Sequence, residues 1–86
     1  MNFYAINYSG NSKKITKKLA MFPQIVCADT PREAVIIYYS ANHDDAFFPQ
    51  EDGSIKDCDG DEICSAISEQ IEYDGGFYSA ELIISD

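Results

Sequence analysis

Asp57-Cys58-Asp59-Gly60-Asp61-Glu62 sets oxygen ligands at alternate positions, as a calcium-binding loop does. Such a loop needs glycine at its sixth position and a bidentate glutamate at its twelfth. Here those positions are Glu62 and Ser68, and Glu69 comes one residue late. A looser cation site on Asp57, Asp59 and Asp61 stays open. So does a plainer use of Asp59, Asp61 and Glu62 as charges at a helix N-terminus, worth about 0.3–1 kcal/mol each. His43 precedes Asp44 and Asp45, which suggests a metal pair or an acid–base couple. Adjacent side chains diverge, however, and a histidine at a helix end is more often a partner for the C-terminal carbonyls. Hydrolysis would need a positioned nucleophile and a second base, and the chain names neither. Cys58 and Cys64 sit among carboxylates, which disfavour the reactive thiolate. There is no phosphate-binding glycine loop. These residues predict no enzyme, no metal centre and no cofactor.

The same residues belong to a longer acidic stretch, positions 44–62. It holds eight carboxylates, Asp44, Asp45, Glu51, Asp52, Asp57, Asp59, Asp61 and Glu62, opposed only by Lys56. Fifteen acids against six bases give the chain a net charge of −9. The charge is polarised: residues 1–43 carry five bases and two acids, and residues 44–86 carry one base and thirteen acids. The C-terminal half therefore repels nucleic acid and anionic membrane and attracts basic surfaces. If Asp57, Asp59 and Asp61 are extended, their carboxylates repeat on one side at roughly 6.6 Å, of the order of the phosphate spacing along a nucleic-acid strand. Glu62, Glu69, Glu72 and Asp74 can continue that array. Phe47 and Phe48 stand inside it, either as an apolar anchor for a partner or as part of the core.

In size, acidity and lack of a catalytic motif the chain resembles small phage-encoded inhibitors of bacterial defence systems, among them anti-CRISPR proteins. The resemblance is one of type, and no functional residue is carried over from it. It implies stoichiometric binding to a basic nucleic-acid-handling protein or complex, such as a bacterial defence nuclease. Mimicry of nucleic acid would then exclude DNA or RNA, with no direct nucleic-acid binding by the chain itself. An immunity protein that neutralises a toxin nuclease would share the acidity. A calcium-binding module using Asp57, Asp59 and Asp61 is the remaining alternative.

Eighty-six residues make one domain, 1–86, with a small core. An apolar fraction of 45% with five Phe and six Tyr argues for a folded chain rather than a disordered one. Cys27, Cys58 and Cys64 are an odd number without a CxxC pair, so free thiols in a reducing cytoplasm are expected. The first residues lack the pattern of a secretory signal, and no apolar run has the length of a membrane span. A cytoplasmic monomer or homodimer is the expectation.

The expected fold class is α+β: a small antiparallel sheet of three to five strands with two main helices and room for a short third. Aromatic alternation over residues 3–8 predicts a strand covered on much of both faces. Ser12 can cap a helix through Ile15 and Leu19, flanked by Lys13, Lys14, Lys17 and Lys18 and ended by Pro23; a strand through 14–19 reads nearly as well. Residues 24–28 predict a short strand. Thr30-Pro31-Arg32-Glu33 reads as a capping box with Pro at the first helical position, opening a helix to about Ala41 buried on more than one side. Two short strands, 46–48 and 54–56, can flank a turn at Glu51-Asp52-Gly53. Ile63, Ile67 and Ile71 recur at helical spacing and predict a second main helix from Asp59 or Asp61 to Ile71 or Glu72. A competing reading shortens this helix, makes 70–73 a strand and makes Asp74-Gly75-Gly76 a hairpin turn. Residues 77–85, with Tyr78, Ala80, Leu82 and Ile84 on one face, predict a central strand.

Overall fold

The computed structural model describes residues 1–85. Its longest strands are its first and last, β1 (Asn2–Gly10) and β7 (Gly76–Ser85), which pair antiparallel from Asn2↔Ser85 to Gly10↔Gly76. β2 (Ile25–Ala28) adds to the free side of β1, and β6 (Ile71–Tyr73) to β7, giving the order β2-β1-β7-β6. Period-two alternation turns Tyr4, Ile6 and Tyr78 inward, where all three are buried. Phe3, on the opposite face, is 40% exposed. The first strand is thus covered on one face rather than on much of both, because both helices lie on that one face.

α1 (Lys13–Met21) starts where the sequence predicts a helix. Ser12 caps it, accepting from the Ile15 amide at 3.4 Å, and the helix ends at Met21, before Pro23. Ile15 and Leu19 are half-buried against the core and the lysines point to water. Nine residues do not hold a helix alone, so this packing sustains it. α2 (Pro31–Asn42) opens on the expected cap, with Thr30 Oγ1 accepting from the Glu33 amide at 3.1 Å. It buries Ala34, Val35, Tyr38 and Tyr39. The outer side stays wet, with Ile37 42% exposed, so burial is one-sided where the apolar run predicted more.

After α2 the chain makes a single 3-10 turn (Asp44–Ala46). It then builds a second antiparallel sheet of three very short strands, β3 (Phe48–Pro49), β4 (Ile55–Lys56) and β5 (Glu62–Cys64), in sequence order. The expected strand pair around Glu51-Asp52-Gly53 is present, with Ala46 in the 3-10 turn instead. The fold is therefore α+β with two helices and two antiparallel sheets.

The second main helix expected from Asp59 to Ile71 does not form. Glu62–Cys64 is a strand, residues 65–70 form turns, and Ile67 is 89% exposed. Two interactions compete with a helix, one local and one from a residue remote in sequence. Ser68 Oγ accepts from the Gln70 amide at 3.1 Å, an alternative to helical bonding that serine favours. Arg32 Nη1 donates to the carbonyls of Ser65 at 2.8 Å and Ser68 at 2.6 Å, groups that a helix would pair with amides four residues on. Of the competing reading, the strand and the hairpin turn form, and the shortened helix does not. Asp74 (φ 51°) and Gly75 (φ 75°) form the two-residue turn that joins β6 to β7.

At the far end of the long pair, Gly10 faces Gly76. A Cβ on Gly76 would stand 2.5 Å from the Ser9 carbonyl oxygen and 2.6 Å from the Gly10 Cα, so a side chain there cannot fit without backbone movement. The Tyr8 hydroxyl crosses that end and donates to the carbonyls of Tyr73 or Asp74, both at 2.9 Å.

Candidate functional site

The turn between β4 and β5 is closed by its own first residue. Asp57 Oδ1 accepts from the amides of Asp59 and Asp61, each at 2.9 Å, and Gly60 takes a positive φ of 82°. Residues 57–61 therefore form a tight turn rather than an extended run, and the evenly spaced carboxylate ladder predicted for Asp57, Asp59 and Asp61 does not form. Among the described residues no three His, Cys, Asp or Glu are grouped as a metal site would need. Without a following helix, Asp59, Asp61 and Glu62 cap no N-terminus either.

The turn instead brings acids together from separate parts of the chain. Asp45 from the 3-10 turn, Asp57 and Asp59 from the β4–β5 turn, Glu72 from β6 and Asp74 from the hairpin line one cleft of about 290 Å³. Tyr39, Tyr73 and Ile63 supply its apolar lining, with Ala46 and Cys58 completing it. The two tyrosine rings meet edge to face at 5.9 Å. Tyr39 donates from its hydroxyl to the Ala46 carbonyl at 3.3 Å, which ties the end of α2 to the start of the acidic segment. Burial is the first cause that holds the Tyr39 phenol well above its ordinary pKa, followed by Tyr73 and then Asp57 and Asp45. The acids' field thus reaches into the core.

A second acidic patch gathers Glu51, Asp52 and Glu62 around Lys56. The Asp52 carboxylate accepts from the Ser54 hydroxyl at 2.6 Å and amide at 2.9 Å, which pulls its pKa below the usual carboxylate range. Asp44, Asp61 and Glu69 are exposed and line neither cavity. The two phenylalanines divide: Phe47 is half-buried with its ring 6.3 Å from Tyr39, and Phe48 is 48% exposed on β3.

Almost none of this charge is neutralised within the chain. The one ion pair among the described residues joins the amino terminus to Asp29 at 3.8 Å, far from the cleft in sequence. Arg32 reaches from α2 to the second sheet, but its guanidinium bonds to backbone carbonyls rather than to acids. Besides Ser65 and Ser68 it donates to the Gly53 carbonyl at 2.7 Å and lies 3.3 Å from Cys64 Sγ.

His43 belongs to a different environment. It ends α2, stacks on Tyr73 at 4.0 Å and 26°, and meets the Tyr78 hydroxyl through Nε2 at 2.9 Å. Burial first, then Lys18, lowers its pKa, while Asp45 pulls weakly the other way. It is held neutral inside an aromatic cluster rather than poised as a charged partner of the helix end. Cys64 is buried, and burial raises its thiol pKa against the pull of Arg32.

Sequence reasoning placed Asp45, Asp57, Asp59, Glu72 and Asp74 in one functional class but did not bring them to one cleft. It missed Tyr39 and Tyr73 as the walls. The available signal was position: Tyr39 closes the buried stripe of α2 just before the acids begin, and Tyr73 precedes the Asp74-Gly75 turn.

Fold and site together define a small α+β domain with an acidic cleft that no Lys or Arg lines. No family model, curated protein or solved structure matches this chain. Among the described residues no helix is long and apolar enough to cross a membrane.

Proposed function

We propose that the chain is a stoichiometric inhibitor of a basic nucleic-acid-handling protein, acting in the cytoplasm by occupying the surface that protein uses for DNA or RNA. One observation carries this reading: five carboxylates from four segments converge on a tyrosine-walled cleft, and no Lys or Arg lines it. Holding like charges together raises the energy of the free domain. A partner's basic side chains relieve that repulsion on binding. The cleft suits arginine in particular, since a guanidinium can pair with carboxylates while its plane stacks on a tyrosine ring. The Glu51–Asp52–Glu62 patch, with exposed Phe48 opposite Lys56 in the β3–β4 register, offers basic side chains a second acidic contact. This is the action of anti-CRISPR-type inhibitors of defence nucleases, and it needs no catalytic step.

The test uses a bacterial protein captured from lysate by the immobilised chain and shown on its own to bind nucleic acid. Added chain should displace that nucleic acid in a one-to-one titration. The variant Asp45→Asn, Asp59→Asn, Glu72→Gln, Asp74→Asn removes four cleft charges at constant volume and leaves the Asp57 turn intact. Its affinity should fall by several kcal/mol, since close interfacial charge pairs couple at about 1.5–7 kcal/mol each, though not additively. Added salt should slow association of the wild type more than of the variant. Equal affinities for the two folded proteins, or nucleic acid left in place, would sink the proposal.

A further inference from the structure

β7 has two edges, and only one is fully used. β1 pairs along its whole length, but β6 covers the other edge at Gly76, Phe77 and Tyr78 alone. Over residues 79–85 that second edge meets no strand, and among the described residues no hydrogen bond outside the β1 ladder reaches its backbone. Alternate residues of an antiparallel strand direct both their N–H and C=O groups to each side, so about half of this run's backbone faces water unpaired.

The run, Ser79-Ala80-Glu81-Leu82-Ile83-Ile84-Ser85, has little of the protection that exposed edges usually carry, only Glu81 and one bulge. It has no Lys and no Pro, no strand covers it, and Leu82, Ile83 and Ile84 are 51%, 49% and 59% exposed. A bulge that places Ile84 opposite Phe3 and Leu82 opposite Tyr4 is its one irregularity. The bulge moves Ile84 to the open face, correcting the predicted single face for Tyr78, Ala80, Leu82 and Ile84. There Ile84, Phe3 and Cys27 lie side by side across three strands. The apolar edge thus continues onto an apolar corner of the sheet.

We propose that this edge is a dimer interface, on which a second copy of the chain pairs β7 to β7, antiparallel across a two-fold axis. Charge selects this occupant. Two copies with net charge −9 repel wherever their acids meet, yet residues 79–85 carry only Glu81. The acidic cleft lies at the opposite end of β7, where Asp74 leads into Gly76. Antiparallel pairing sends the two clefts to opposite ends of the dimer and leaves both open. A two-fold ladder is also self-complementary: each donor on one edge finds the equivalent acceptor on the other. Registers centred on Leu82 to Ile84 place apolar side chains against their own kind. A basic partner drawn to the clefts would find almost no charge here.

Sedimentation of the full chain from micromolar to millimolar concentration should show reversible growth to twice the 9.6 kDa chain mass and no further. Hydrogen exchange should show amides of residues 80–85 gaining protection as concentration rises. Ile84→Glu puts a charge into the apolar interface at an already exposed position, so it should weaken self-association about tenfold or more while leaving the circular dichroism unchanged. If the variant does not fold, the concentration dependence of exchange in the wild type decides alone. A 9.6 kDa species at every concentration overturns the proposal. So does a dimer that Ile84→Glu leaves intact, open-ended growth beyond two copies, or protection that appears only when a different protein is added.

Discussion

Arg32 Nη1 donates to the Ser68 carbonyl at 2.6 Å, so the first turn of α2 fixes the path of a loop distant in sequence. With its bonds to Ser65 and Gly53, this one guanidinium pins two segments of the smaller sheet to the helix. Bonds to charged groups contribute about 1.5–3 kcal/mol each. Arg32→Ala should therefore destabilise the domain by about 3 kcal/mol or more. Arg32→Lys should recover only part of this, because an ammonium cannot span the fork. Urea denaturation measures the loss, and faster exchange confined first to residues 65–70 assigns it.

His43 makes stability depend on pH. Its folded pKa is lowered, chiefly by burial, so the unfolded chain takes up this proton first. The contribution is fully present above the unfolded value of 6.5 and is lost as pH falls below it, down to the folded pKa. The slope cannot exceed about 1.4 kcal/mol per pH unit from one group. Asp52 adds loss only at lower pH, as the pH falls below its ordinary unfolded value of 3.8, since its pKa is lowered too. Melting curves of wild type and His43→Gln should differ in slope just below pH 6.5, with the variant flatter there. An NMR titration of the imidazole should show a midpoint below 6.5.

Gly76→Ala should strain the crossing of Gly10 and Gly76. Its Cβ would enter the space of the Ser9 carbonyl, and overpacking of this kind costs about 1–3 kcal/mol. Ala at Gly60 meets no neighbour within 4 Å and should be affected only by its positive φ of 82°. Thermal melts of the two variants compare a steric cost with a conformational one.

Of the three thiols, two should be accessible in the native state. Cys27 and Cys58 are exposed, whereas Cys64 is buried with its pKa raised. A colourimetric thiol titration should therefore give two native-state equivalents, Cys27 ahead of Cys58, which lies among the cleft carboxylates, and the third only on unfolding. Reaction of all three at one rate would show that the Arg32–Cys64 contact does not protect the sulfur.

The larger sheet and both helices were legible because their signals are local or strongly periodic. Ser12 and Thr30 sit at N-caps, Tyr4, Ile6 and Tyr78 follow strand alternation, and Asp74-Gly75 has the chemistry of a two-residue turn. The stretch from Asp59 to Ile71 misled because isoleucines four apart satisfy a helical period, while the decisive interaction came from Arg32, remote in sequence. The acids were legible as a class, since charge is a composition. Their meeting point was not: it depends on the Asp57 turn, the hairpin and the end of α2 being assembled together.

The pairing of β1 with β7 governs the order in which the domain can form. Asn2 and Ser85 are register partners, so the central ladder joins segments from opposite ends of the described chain. On a ribosome β1 emerges early and can find only β2, by way of α1, until β7 follows. Closing so long a loop precedes the reward from the longest ladder, which slows folding relative to a chain whose contacts are local. The acidic segment emerges before β7 does, and its self-repulsion opposes non-specific collapse of that stretch in the meantime.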